Sequence, residues 1–301
     1  MRSLRSQLSL SRTSEIVTMV TPAYQCAKYV GQTVDSVLRQ DYPAIRHIVL
    51  DDGSTDNTQE ILQPYCPRIE LYRHENMGEA RTVNKGLAMV KSKYFMVLNA
   101  DDLLYPSAVS ILVEFMESHP DIMVGYPSWD MINENGAFKQ HIEVHPYSLS
   151  YMLKRHACLP SVGTIFQSCL LEYAPGRDVS YRFVGDFEYL LRIGFIAEMA
   201  KVPYTLAMWR DRDGQLTKER GSKQALEHIR LIQEFYALPV LQNELKVKNE
   251  AMCWAYMTAG LLAGSRTETL RYYASAIKSY PLILCSPSAC YAVLKRIGVL
   301  A

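Results

Sequence analysis

Residues 45–56 read Ile45-Arg46-His47-Ile48-Val49-Leu50-Asp51-Asp52-Gly53-Ser54-Thr55-Asp56. From Ile45 to Leu50 this is a short, β-branched apolar run, the pattern of a strand buried on both faces. From Asp51 onward it is a string of turn and cap residues. A helix should follow, capped by Asp56 or Asn57 and running through Leu62. The same pattern recurs on either side. Ile16-Val17-Thr18-Met19-Val20 reads as a strand that Thr21-Pro22 punctuates. Val30, Val34, Val37 and Leu38 recur at helical spacing and predict a helix from about Ala27 to Gln40. Ile69–Tyr72 and Tyr94–Leu98 read as further strands, with a helix over Ala80–Val90 between them. Strict alternation of strand and helix predicts βαβ units, and so an α/β fold on a parallel sheet. In such sheets ligands bind outside the carboxyl ends of the strands, and two of these strands end at paired aspartates.

Beyond Pro106, the residues Ala108, Ile111, Leu112 and Phe115 mark another helix. Residues 121–210 alternate less cleanly and predict a mixed region of short strands, with one helix from about Asp186 to Gly194. From Ser222 the pattern is helical, with breaks near Pro239, Ser265 and Pro281. Residues 1–14 are rich in Ser and Arg without the apolar core of a secretory signal, and read as a disordered leader. The end of the chain mixes apolar residues with Lys278, Lys295 and Arg296. It suits a packed helix, the preferred reading, or a face on an anionic membrane.

Composition excludes several classes. The chain has 301 residues, is 49% hydrophobic and 21% charged, and so can bury a core. Thirty-two Lys and Arg against 31 Asp and Glu give a formal charge of +1, without the basic excess of a nucleic-acid binder. No apolar run reaches the ~18 residues of a membrane span. Seven cysteines, an odd number with no CxxC, argue against a disulfide framework or structural zinc site and for reduced thiols in a cytoplasm. There is no P-loop, GxGxxG, GxSxG or HExxH. His141 and His145 read as loop residues because Pro146 follows at once.

Four stretches can carry chemistry. In the first, Asp51-Asp52 at a strand end can accept from a base or ribose, and Gly53 permits a tight turn and close approach of a ligand. In the second, Asn99-Ala100-Asp101-Asp102, adjacent carboxylates repel, and Mg²⁺ or Mn²⁺ relieves the repulsion while drawing its other ligands from phosphate and water. In the third, Gly185-Asp186-Phe187-Glu188 opens a helix, and Asp186 at a cleft lip suits a general base, with Glu188 the weaker candidate. In the fourth, Trp209-Arg210-Asp211-Arg212-Asp213-Gly214, two arginines in a polar loop suit a diphosphate clamp. Each stretch taken alone is equally an ordinary turn, cap or solvated loop.

Taken together and in order, these residues resemble the family 2 inverting glycosyltransferases of the GT-A fold, from about Ile16 to Thr217. Thr21-Pro22-Ala23-Tyr24 resembles the family's opening Pro-x-Tyr-Asn turn, with Gln25 where Asn is common. Asp51–Asp56 resembles its nucleotide signature, which implies that Asp52 reaches the base. Asn76-Met77-Gly78-Glu79-Ala80 through Asn84-Lys85-Gly86-Leu87 resembles the stretch that precedes the family's metal motif. Asn99-Ala100-Asp101-Asp102 stands at the Asp-x-Asp motif, with Asn99 in place of the first carboxylate. Gly185–Arg192 resembles the segment that carries the catalytic base, Asp186 here. Arg210–Thr217 resembles the closing Arg-x-His-x-x-Ser segment, with Arg212 replacing His.

The resemblance implies a Rossmann-like, mostly parallel sheet flanked by helices. A GT-A domain over residues 15–220 would split into a nucleotide half (15–105) and an acceptor half (106–220), followed by a helical region (221–301). It further implies a nucleotide-diphosphate sugar donor, foremost a UDP-sugar, bound through Thr21, Pro22, Ala23, Tyr24, Asp52, Asn84, Asn99, Asp101, Arg210 and Arg212. Mn²⁺ or Mg²⁺ would sit at Asp101 and Asp102. The acceptor would be a glycan or lipid-linked hydroxyl in surface polysaccharide, lipopolysaccharide or exopolysaccharide synthesis, in the cytoplasm or at the inner face of the membrane, with no nucleic acid involved. Two rivals stand beside this reading. One is a catalytically inactive relative that binds a nucleotide or glycan. The other is a sugar nucleotidyltransferase, which would want a Gly-rich basic loop that Thr21–Lys28 is not.

Overall fold

The computed structural model describes residues 17–218, 221–239 and 245–287, with Ala289, Tyr291 and Val293. The expected leader and the basic pair Lys295-Arg296 lie outside these residues. The chain divides into two compact units: one of residues 17–145, 160–177 and 197–211, the other of 146–159, 178–196 and the described residues from 212 onward.

The first unit holds the sheet, nine strands among the described residues. The strands β1 (Val17–Ala23), β2 (Ile45–Asp51), β3 (Glu70–Arg73) and β4 (Tyr94–Val97) alternate with the helices α1 (Val30–Leu38), α2 (Thr58–Leu62) and α3 (Glu79–Leu87). They pair in the order β3-β2-β1-β4, all parallel, as the βαβ pattern predicts. All seven residues of β1 are buried. Pro22 does not end β1 as expected. The Val20 carbonyl accepts from Leu98 on the β4 side and the Ala23 carbonyl from Asp52 on the β2 side. By the two-residue alternation the Pro22 nitrogen faces the β4 side, where that pairing has already ended at Val20, so no ladder bond is lost.

After β4 the sheet becomes mixed. It continues through β5 (Leu103–Leu104), α4 (Ala108–Ser118), β6 (Val124–Asn133), β7 (Phe138–Ile142), β8 (Ile165–Gln167) and β9 (Met199–Asp211). β8 runs antiparallel to β4 and β6, while β6 and β9 run parallel. These last two are long strands, not the short ones expected. They stay paired from Val124 to Asn133 by absorbing register shifts at Pro127/Ser128 and Ser128/Trp129. His141 lies in β7, not in a loop. The core of this unit joins Val17, Met19, Tyr94 and Met96 of the sheet to Leu112 and Met116 of α4.

The second unit is helical: α5 (Leu149–Arg155), α6 (Gly185–Gly194), α7 (Ser222–Phe235), α8 (Leu245–Leu262) and α9 (Arg266–Ser279), then a 3-10 turn at Pro281–Cys285. Phe195 stacks on Phe235 at 5.7 Å. Cys253 and Met257 of α8 pack with Tyr273 and Ala276 of α9 and with Ile283. Among the described residues no helix is long and apolar enough to cross a membrane.

Candidate active site

β1 lies between β2 and β4, so the turns that follow β2 and β4 flank its carboxyl end. These turns carry the two aspartate pairs. In the β2 turn, Asp51 is fully buried. Its Oδ1 accepts the Ser54 N–H at 2.9 Å, and Arg73 Nε stands 3.4 Å from its Oδ2. Gly53 has φ +71°, and a Cβ there would come within 2.7 Å of the Asn76 nitrogen, so only glycine fits this turn.

The Asp52 carboxylate accepts the N–H groups of Met77 (2.7 Å) and Gly78 (3.0 Å), with His74 Nε2 at 3.3 Å. Each carboxylate oxygen keeps a lone pair for a further donor. Beside it opens a cleft of about 550 Å³ lined by Gly53, Arg73, His74, Glu75 and Asn76, within the range of ligand pockets. The role of Met77 and Gly78 was not singled out from sequence; the signal available was Gly78, which takes φ +88°.

Of the four residues Thr21–Tyr24, the first three close β1; Thr21 turns inward, its hydroxyl 2.9 Å from His47 Nε2. Pro22 and Ala23 are buried, and Tyr24 is 51% exposed. Gln25, at φ +49°, staples this turn to the next one. Its Oε1 accepts from the N–H of Thr55 and Asp56, and its own N–H reaches the Ser54 hydroxyl.

At the β4 turn Asn99 is exposed, whereas Asp101 and Asp102 are buried. Asp102 Oδ1 accepts the Arg210 N–H at 2.9 Å, and its carbonyl accepts the Thr33 hydroxyl. Burial, and then the neighbouring Asp101 charge, push the Asp102 carboxyl well above the usual carboxylate range. The Asp101 charge also adds to the burial that lifts the Cys26 thiol to about 12, so Asp101 acts on the loop after β1. Among the described residues no group of three or more His, Cys, Asp or Glu side chains is placed to hold a metal ion. Two neighbouring buried carboxylates fit a divalent cation only if a ligand supplies the rest of its shell.

Arg210 is not in a loop. It is the penultimate residue of β9, is 0% exposed, and is faced by the Asp102 charge. Its Nε donates to the Asp101 carbonyl at 2.8 Å, Nη1 to the carbonyls of Glu134 and Asn133, and Nη2 to Gln32 Oε1 at 2.9 Å. The fork is turned to protein acceptors rather than opened as a clamp. Asn84 is likewise occupied. Its amide pairs with the Arg177 backbone in both directions, at 2.9 and 2.7 Å. A Cβ at Gly176 would meet its Oδ1 at 2.4 Å.

Asp186 and Arg212 belong to the second unit. Asp186 is exposed in the first turn of α6, with Oδ1 accepting the Phe187 N–H at 2.7 Å. Glu188 is buried and takes both Nε (2.9 Å) and Nη2 (2.8 Å) of Arg192, which spends it on a helix pair. Arg212 is half-buried; its N–H donates to Gln215 Oε1, and its Nη1 to the Asp213 carbonyl at 3.1 Å.

A family model described as glycosyl transferase family 2 matches residues 18–171. An uncharacterized glycosyltransferase of Rickettsia bellii is 33% identical over 139 residues, 45% of this chain and 20% of its own length. A putative teichuronic acid biosynthesis glycosyltransferase, TuaG of Bacillus subtilis, is 32% identical over 140 residues, 45% of this chain and 55% of its own. The chain thus covers only part of the length of these relatives. A solved structure, S. aureus TarS 1–349 in complex with UDP-GlcNAc, aligns with TM-score 0.69 at 16% identity over 94% of this chain and 88% of that one. It shares the α/β architecture seen here.

Proposed function

The chain belongs to glycosyl transferase family 2, and on that premise we propose that it moves a sugar from a nucleoside-diphosphate sugar to an acceptor hydroxyl, with inversion at the anomeric carbon. The observation that carries this is the pair of acidic turns at the ends of β2 and β4, on both sides of β1, where open α/β sheets take nucleotides. Residues 15–105 serve the nucleotide and 106–220 the acceptor. Asp52 accepts from the base, whose ring lies in the cleft beside Gly53 and His74. Tyr24 and Asn99, both exposed, meet the donor, and Arg212 meets its diphosphate. A divalent cation, Mn²⁺ or Mg²⁺, held by Asp101 with Asp102 would neutralise the diphosphate and improve it as a leaving group. Asp186 takes the proton of the acceptor hydroxyl as that oxygen attacks; its exposure suits this, and the pairing of Glu188 with Arg192 removes the rival. Arg210 and Asn84 support the donor site by holding its loops.

A UDP-sugar is the donor we favour, since the S. aureus neighbour is described with UDP-GlcNAc. A relative named for teichuronic acid biosynthesis supports a glycan or lipid-linked acceptor in surface polysaccharide, lipopolysaccharide or exopolysaccharide synthesis. A lipid-linked acceptor calls for work at the cytoplasmic face of the membrane.

Thermal unfolding with UDP, GDP, dTDP and CDP, each with and without Mn²⁺, tests the donor site. A ligand at ~100 times its dissociation constant adds ~2.7 kcal/mol. A metal-dependent rise with one nucleotide supports the site, and none with any favours an inactive relative. Asp186→Asn should lower transfer by ~10²–10⁴-fold while the nucleotide-induced rise survives. Near-normal transfer by that variant rejects Asp186 as the base.

A further inference from the structure

The second unit ends in apolar side chains that its core does not use. α9 turns Thr269, Tyr272, Tyr273 and Ala276 inward. Its outer side leaves Leu270 50% and Ile277 38% exposed, seven residues apart and so on one face. In the turn Pro281–Cys285 only Ile283 faces the core. Leu282 and Leu284 stand 63% and 58% exposed. Single exposed apolar residues are ordinary, but these four follow one helix face and the turn that prolongs it.

The charge along this stretch of sequence has one sign. Arg271 and Lys278 are exposed on the same helix. From Thr269 to Ala301 the sequence has no Asp or Glu and four basic residues, Arg271, Lys278, Lys295 and Arg296. The remaining 268 residues carry all 31 acidic side chains. A protein partner is the weaker fit, because interface centres favour aromatic anchors over leucine and exclude lysine. Aliphatic side chains flanked by basic ones, with no acidic residue along the same stretch of sequence, are what an anionic bilayer surface recognises.

We propose that this face binds an anionic lipid bilayer. Leu270, Ile277, Leu282 and Leu284 enter the headgroup boundary, and Arg271 and Lys278 reach lipid phosphates. With no spanning helix among the described residues, the association is peripheral. It stands independently of the transfer reading, since lipid binding needs neither donor nor catalysis.

Co-sedimentation of the full chain with vesicles tests it. Vesicles of phosphatidylcholine with phosphatidylglycerol should carry the protein down, high salt should release it, and phosphatidylcholine alone should not bind it. Leu282→Asp with Leu284→Asp should abolish binding. Arg271→Ser with Lys278→Ser should lower it roughly 25-fold. All four side chains are exposed, so circular dichroism and the nucleotide-induced thermal shift should be unchanged. Hydrogen exchange on the unaltered protein, slowed over residues 270–284 by the anionic vesicles, reads the same contact without any substitution. Failure to bind the anionic vesicles, equal binding to neutral ones, or indifference to both double variants overturns the proposal. So does a dimer that Leu282→Asp with Leu284→Asp disperses, which would assign the face to a second copy of the chain.

Discussion

Arg210 carries its positive charge fully enclosed by protein, and the charge that faces it is the Asp102 carboxylate of the β4 turn. The geometry makes the arginine and the aspartates one unit: the Arg210 N–H holds the Asp102 carboxylate, and Nε holds the Asp101 carbonyl. Arg210→Met keeps the volume but removes the charge that faces the buried Asp102 and leaves the Asp101 carbonyl and Gln32 Oε1 without their donor, so it should cost ~3–5 kcal/mol in urea unfolding. A loss below ~1 kcal/mol would mean that Asp102 is neutralised by other means. Little of this was legible in the sequence. Between Trp209 and Gly214 the chain alternates charges as a solvated loop does, and no local pattern reports that β9 continues to Asp211. Asp52 was legible, because a strand, an acidic pair and a glycine follow one another within a few residues. The Met77 and Gly78 N–H groups that Asp52 accepts were not, since backbone donors leave no trace in residue identity.

Elements whose signals are local were read well, and those built on distant pairing were not. α9 is an example of the first kind. Ser265-Arg266-Thr267-Glu268 is a capping box in sequence, and Ser265 Oγ accepts the Glu268 N–H at 3.2 Å. The Glu268 carboxylate also takes the Ser222 hydroxyl at 2.8 Å, tying the start of α7 to that of α9. Ser265→Ala should destabilise by ~1 kcal/mol and Ser265→Asn should not, as read from thermal unfolding. Equal effects of the two would deny the cap. β6 and β9 are of the second kind. Their partners lie some seventy-five residues apart, as in Val124 with Met199, and Pro127 and Pro203 interrupt the apolar pattern. Stability there comes from a parallel ladder that neither segment shows by itself.

Over the whole molecule the formal charge is close to zero, so self-repulsion contributes little to its pH dependence. Individual buried histidines decide it instead. His47, enclosed in the first unit, is pushed down to about 3 by burial. In the second unit His156 and His228 share a hydrogen bond between their rings. Burial takes His228 to about 4, and burial with the His228 charge takes His156 well below its ordinary value. All three stay neutral in the fold at pH values where the unfolded chain, near 6.5, has taken up protons. Stability is therefore full above about pH 6.5 and falls as the solution is acidified toward pH 4, by at most ~1.4 kcal/mol per pH unit for each histidine. Two groups run the other way. His141 is raised by Asp130 and then Glu143, but it lies in solvent, where screening weakens such pairs. The Asp102 carboxyl, raised by burial and the Asp101 charge, takes up its proton in the fold before it does in the unfolded chain, so acidification favours the fold there. Urea midpoints measured from about pH 7.5 to about pH 5.5 should fall steadily, and His228→Gln should remove its share of the slope. A slope in His228→Gln equal to that of the unaltered protein would mean that this ring takes up its proton without leaving the fold.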